Sequence, residues 1–193
     1  DAVKVLYIND EPDSVFKAHG PDPTEVSSRR QLQKSVLKER ADLGVIFDGD
    51  GDRAYFVDNF GRSIPSCLIA YLLFLESKPP FVVDTFTHKS LLMSGLLGGK
   101  IFLSPVGSYF IKKLMRQKSA NRGAEYSGHY YFKEFFSADS GILTAIRILN
   151  AVSRMPYSSA EFVNLQPKIV HSKFFNVHTQ KPDSLLLKIR KHF

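Results

Sequence analysis

An apolar pentad, Leu43-Gly44-Val45-Ile46-Phe47, runs straight into Asp48-Gly49-Asp50-Gly51-Asp52-Arg53, and no other stretch of the sequence restricts the fold so tightly. A short apolar run that ends in turn formers specifies a buried strand. The three carboxylates that follow repel one another strongly at this spacing unless a cation neutralises them. Gly49 and Gly51 allow the sharp backbone bends that aim alternate side chains at one point. Oxygen donors of this kind suit a hard divalent ion, Mg²⁺ above all, so Asp48, Asp50 and Asp52 are the expected metal ligands.

Spacing separates the readings open to this loop. An EF-hand requires Gly at its sixth position and Glu at its twelfth, where counting from Asp48 gives Arg53 and Asn59. Haloacid dehalogenase-like phosphatases also place Asp-x-Asp-Gly after an apolar strand, but follow it with Thr or Val. Here a third aspartate and then Arg53 follow, which suits a metal beside a phosphate-reading guanidinium better than a nucleophile-plus-acid pair.

The surroundings alternate strand and helix. Val3–Ile8 reads as a short β-like run, and Thr24–Arg40 as a half-exposed helix with Val26, Leu32, Val36 and Leu37 at helical intervals. Ala54–Asp58 is a returning strand closed by the turn Asn59-Phe60-Gly61-Arg62. A helix from Ser63 through Leu75, a Pro79-Pro80 break, the strand Phe81–Asp84, a helix from about His88 to Leu97 and the strand Lys100–Leu103 come next. A helix after Gly107 reaches Met115, and a longer one spans Asp139 to Val152, stopped by Pro156. That alternation predicts an α/β fold with a parallel or mixed sheet.

Composition adds limits. The 193 residues with 44% hydrophobic content are enough for two small domains with real cores. Cys67 alone cannot form an internal disulfide and is expected as a buried thiol. The apolar run Cys67–Leu75 is too short to span a bilayer, and no secretory signal opens the sequence, so a cytoplasmic protein without a membrane partner is expected. The net charge of +7 would attract nucleic acid but equally a small phosphorylated substrate. His19, His88, His171, His178 and His192 lack metal-ligand spacing, and the Lys112-Lys113 and Lys188–Lys191 clusters read as solvated helix faces.

A second loop, Arg122-Gly123-Ala124-Glu125-Tyr126-Ser127-Gly128-His129, sets a carboxylate, a hydroxyl and an imidazole among glycines, a set that can bond vicinal hydroxyls and move a proton. The run Ala41–Arg53 resembles the metal-loop signature of the α-D-phosphohexomutases, the phosphomannomutase/phosphoglucomutase family, and Glu125–His129 resembles that family's Gly-Glu-x-Ser-Gly-His sugar loop. Val106–Met115 and Asp139–Ile142 are similar to the helices flanking it.

The resemblance implies two three-layer α/β/α domains with mixed sheets, the first truncated, plus the start of a further α+β domain. Their expected ranges are 1–62 with the metal loop, 63–175 with the sugar loop, and 176–193. It also implies reversible phosphate transfer between the 1- and 6-positions of a hexose through a phosphoserine and a bisphosphate. Mg²⁺ on Asp48, Asp50 and Asp52 would face the serine phosphate with Arg53 beside it. Glu125 and Ser127 would bind hexose hydroxyls, and His129 would transfer a proton or touch phosphate. Some bacterial members have His at the position of Ser108 and a phosphate-holding Lys near Phe86, and Gly usually stands at the position of Ala124.

No Ser-His-Asn-Pro-like nucleophile loop occurs in the sequence, so an inactive fragment is expected, whose partners are a phosphohexose and the missing N- and C-terminal domains of a longer enzyme. Nucleic acid is not the favoured partner. Two alternatives stay open: a nucleic-acid-associated or regulatory binding module on the same fold, and a haloacid dehalogenase-like phosphatase acting through Asp48.

Overall fold

The computed structural model describes residues 3–96, 99–168 and 177–192. Helix α1 (Val26–Glu39) ends where Arg40 turns left-handed (φ 52°), and it packs on a hairpin of β1 (Leu43–Phe47) and β2 (Ala54–Asp58). The two strands pair antiparallel, with Leu43 opposite Asp58 and Phe47 opposite Ala54, so the aspartate run is the loop of that hairpin. The expected turn at Asn59–Arg62 forms around Asp58. Its buried carboxylate accepts the backbone N–H groups of Phe60 (3.0 Å) and Arg62 (2.9 Å) and the Arg62 guanidinium (2.8 Å). Past the turn, β3 (Ser63–Ile64) adds to β2 and completes a three-stranded sheet.

Two expectations at this end are corrected. Val3–Ile8 forms no strand; Val3, Val5 and Tyr7 are 63%, 53% and 76% exposed. A strand needs a hydrogen-bonded neighbour, and among the described residues none lies beside this run. The helix expected from Ser63 begins only at Ser66, as α2 (Ser66–Leu75), because Ser63 and Ile64 belong to the sheet and Pro65 takes the N-cap.

The second sheet has the order β5-β4-β6-β7-β8. Strands β4 (Phe81–Asp84), β5 (Ile101–Ser104) and β6 (Arg122–Ala124) run parallel, while β7 (Tyr130–Phe132) and β8 (Ala138–Asp139) return antiparallel. Sequence patterning missed β6, β7 and β8, which are only two or three residues long and too short to show a period. Helix α3 (Thr85–Met93) starts three residues before the expected His88, because Asp84 accepts the Thr87 N–H at 2.7 Å and caps it. Helix α4 (Ser108–Lys118) covers one face of the sheet, and α2 and α5 (Gly141–Ser153) pack on the other side, giving α/β/α layers.

Strand β4 shows how that layering follows from a period of two: Phe81 and Val83 enter the main core, while Val82 faces Ile111 and Met115 of α4. The main core is continuous across both sheets. It joins Ala54 and Phe56 of β2, Cys67, Leu68 and Leu72 of α2, Tyr130 and Phe132 of β7, Ile148 of α5 and Phe162 of α6 (Ser159–Leu165). Each large apolar side chain buried there contributes about 1.5–3 kcal/mol, so separating the sheets would cost many such terms. Polar ties reinforce the seam: Ser159 Oγ accepts the Asn59 N–H (3.0 Å) and donates to the Asp42 carbonyl (2.6 Å).

The boundary expected at residue 175 lies outside the described residues. Beyond it, α7 (Pro182–His192) buries no side chain. No helix among the described residues is long and apolar enough to cross a membrane.

Candidate active site

Both loops singled out in the sequence are hairpin loops. Residues 48–53 join β1 to β2, and residues 125–129 join β6 to β7. Backbone groups sew them together. Arg53 and His129 form an isolated antiparallel bridge, the Ala54 N–H donates to the Gly128 carbonyl at 3.2 Å, and the Tyr55 hydroxyl donates to the Ser127 carbonyl at 2.5 Å. The first residue of α5 joins the same seam, its Gly141 N–H donating to the Gly51 carbonyl at 3.1 Å.

Two glycines make this approach possible. A Cβ on Gly128, which has φ +88°, would sit 2.7 Å from a Tyr55 ring carbon. One on Gly141 would meet the carbonyl oxygens of Gly51 and Arg53 at 2.7 Å. No side chain fits at either point.

Within the first loop, carboxylate oxygens of Asp48, Asp50 and Asp52 lie within 4.8 Å of one another. Asp48 is buried, Asp50 exposed and Asp52 in between. Burial pushes the Asp48 carboxyl up, but the Arg53 guanidinium and backbone N–H (3.0 Å) outweigh it and hold the group below the usual carboxylate range. Burial raises Asp52, and the negative charges of Asp48 and Asp50 add to the rise against the opposing pull of His129. Crowded hard-oxygen donors of one sign are the donor set a divalent cation such as Mg²⁺ takes, so the residues fit that ion. Arg53 also approaches Asp22, at 3.8 Å.

In the second loop Glu125 is only 3% exposed. One of its oxygens accepts the Gly107 N–H at 2.7 Å and the other the Tyr131 hydroxyl at 2.5 Å. Ser127 Oγ lies 2.8 Å from His129 Nδ1. His129 Nε2 lies 3.4 Å from Asp52 and 4.0 Å from Asp139, which brings a carboxylate of the acidic loop against the imidazole of the other loop. Asp139 is itself paired with Lys112 at 2.7 Å, and the Lys112 ammonium lies 5.7 Å from the Tyr131 ring centre. Lys112 is therefore not the solvated helix-face residue expected.

All of the expected site residues, Asp48, Asp50, Asp52, Arg53, Glu125, Ser127 and His129, lie on these two adjoining loops. Sequence reasoning missed the supporting groups: Tyr55, Asp84, Gly107 as a donor, Tyr131, Asp139 and Lys112. One signal was available, because strand alternation puts His129 and Tyr131 on the same face, their ring centres 6.3 Å apart. Ser108 opens α4 directly after Gly107, and the Phe86 ring, 49% exposed, lies 5.9 Å from the Tyr126 ring.

An α/β chain whose acidic hairpin loop is bonded to a Glu-x-Ser-Gly-His loop defines a class, and comparison with known proteins identifies it. Residues 66–169 match the phosphoglucomutase/phosphomannomutase alpha/beta/alpha domain III, and residues 2–61 match domain II. The chain belongs to the phosphoglucomutase/phosphomannomutase family. It is 34% identical to a phosphomannomutase of Methanocaldococcus jannaschii over 97% of this chain and 43% of that protein. It is also 34% identical to the phosphomannomutase/phosphoglucomutase of Pseudomonas aeruginosa, over 90% of this chain and 39% of that one. A solved family member from Burkholderia thailandensis superimposes with a TM-score of 0.69 at 26% identity, covering 82% of this chain and 36% of its own. The chain thus spans less than half the length of the curated relatives it matches.

Proposed function

We propose that this chain carries the metal loop and the sugar loop of a cytoplasmic phosphohexomutase, an isomerase that moves phosphate between the 1- and 6-positions of a glucose or mannose phosphate. The observation that carries the reading is the junction of the loops, where Arg53 bridges His129 and Asp52 lies 3.4 Å from the His129 imidazole. Sugar-binding groups and a carboxylate trio thereby share one site.

In this reading Asp48, Asp50 and Asp52 hold Mg²⁺, which when bound supplies positive charge to offset a transferring phosphate. Arg53 orients a phosphate through guanidinium N–H groups other than the one committed to Asp48. Ser127 and Glu125 bond the ring hydroxyls. Each Glu125 oxygen already accepts one internal bond, which fixes its direction and leaves a lone pair for a hydroxyl donor. A loop that reads vicinal hydroxyls can hold the sugar in either of two flipped poses, as transfer at both ends requires. His129, beside Ser127 and Asp52, carries the proton exchanged with the reacting hydroxyl or contacts the phosphate. In this reading the phosphoserine and the phosphate-clamping groups would be supplied by the part of the enzyme that these 193 residues, spanning 43% of the length of the Methanocaldococcus jannaschii relative, do not cover.

Calorimetry of the chain with Mg²⁺ and glucose 1-phosphate, alongside a coupled mutase assay, tests this. Binding of both without turnover is the expected outcome. Failure to bind either would sink the reading, and turnover by the chain alone would overturn the division of labour.

A further inference from the structure

The loop that holds Glu125, Ser127 and His129 is tied at one further point, and the tie comes from neither hairpin. Asp84 closes β4 at the start of α3 and is 2% exposed. Its Oδ1 accepts the Thr87 N–H at 2.7 Å, the N-cap bond of α3. Its Oδ2 accepts the Tyr126 N–H at 3.1 Å, 42 positions away in sequence. An N-cap needs one oxygen, and Ser or Asn serves it as well as Asp. The second oxygen is therefore surplus to the helix, and it bonds the residue between the two sugar-reading side chains.

We propose that Asp84 is a positioning residue of the sugar site, holding the 125–129 loop against the first turn of α3 so that Glu125 and Ser127 face the substrate together. The inference rests on the sugar-loop reading above. From the Glu125 side the loop is held by Gly107 and Tyr131, and from the Ser127 side by Tyr55. Tyr126 is the pivot between those anchors, and its amide bonds a buried carboxylate, a charge-assisted contact stronger than an ordinary amide pair. The same link sets the Phe86 ring, two residues beyond Asp84, beside the Tyr126 ring. The neighbourhood of the sugar loop therefore depends on α3 as well as on its own hairpin.

Asp84→Ser separates the two bonds: Ser keeps a cap oxygen but is too short to reach Tyr126 as well. Asp84→Asn, of the same shape, is the second variant, and its amide nitrogen cannot accept the Tyr126 N–H once its oxygen caps α3. Three quantities are measured on the whole chain: glucose 1-phosphate affinity, Mg²⁺ affinity, and hydrogen exchange of the Tyr126 amide. The expected result is faster exchange at Tyr126 and sugar phosphate bound about tenfold more weakly, the equivalent of about 1.4 kcal/mol, with Mg²⁺ affinity unchanged. Unchanged sugar affinity in both variants would overturn the inference. So would a parallel loss of sugar and Mg²⁺ affinity, the mark of a general structural tie. If the unaltered chain binds no glucose 1-phosphate, the sugar-loop reading itself falls, and the inference with it.

Discussion

The two hairpin loops meet at one seam but differ in how much of their support comes from a distance. The 48–53 loop concentrates its chemistry in six consecutive residues, and its internal bonds are local, from Asp48 to the backbone and side chain of Arg53. The 125–129 loop has local bonds too, the Glu125 N–H to the His129 carbonyl among them, but three of its residues are also held by others outside it: Gly107 and Tyr131 hold Glu125, Asp84 holds Tyr126, and Tyr55 holds Ser127. Electrostatics explains the difference. On the proposed roles, clustered like charges rely on an external cation and need little protein support, whereas a loop that reads neutral hydroxyls needs its donors and acceptors fixed beforehand. The acidic loop can thus stay partly exposed, with Asp50 open to solvent, while Glu125 is buried and bonded through both oxygens.

On that contrast the acidic loop is most vulnerable to loss of charge. Asp50→Asn combined with Asp52→Asn removes two of the three carboxylates. It is expected to weaken Mg²⁺ binding by about two orders of magnitude or more, read by calorimetry, while leaving the melting temperature of the metal-free chain unchanged or higher as repulsion falls.

The seam between the loops should fail sterically. Gly128→Ala forces a Cβ against Tyr55 at a positive φ, and it is expected to cost about 2–4 kcal/mol in chemical denaturation. An equal cost without loss of sugar phosphate binding would show that the loops act independently.

A smaller effect is expected from Tyr131→Phe, which removes the hydroxyl bonded to Glu125 and leaves a buried oxygen with one donor fewer. It is expected to cost about 1–2 kcal/mol and to weaken sugar phosphate binding, with Mg²⁺ affinity preserved. A matching fall in Mg²⁺ affinity would blur the distinction between the loops.

The smallest effect lies away from both, in the core they share. Burial raises the Cys67 thiol from 9.0 to about 11, so the folded state disfavours the thiolate. Its contribution to stability is complete below pH 9 and is lost as pH rises toward 11. Native chain should resist thiol reagents at pH 8 and react on unfolding. Rapid labelling of the native protein would mean that the core opens locally.

Much of the fold was legible in advance where a segment carried its own period or punctuation. Helix α1, strands β1, β2, β4 and β5 and the turn at Asn59–Arg62 fall where patterning put them, to within a residue or two. The acidic loop was legible because its signal lies in consecutive residues. Errors came where a segment depended on a neighbour: Val3–Ile8 has strand composition without a pairing partner, and Ser63–Ile64, with helical composition nearby, pairs with β2 instead. Lys112 looked like surface charge because Asp139, its partner, is 27 positions away.

Residue types and local spacing determined the metal-type loop, the alternation of strands and helices, and the family to which the chain belongs. Tertiary structure alone decided that the two loops bond backbone to backbone, that Gly141 of α5 abuts the acidic loop, and that a buried Asp84 reaches across to Tyr126. The physical reason is range. Hydrophobic period and like-charge crowding act between near neighbours in sequence, while hydrogen bonds between loops exist only after one shared core has brought their sheets together.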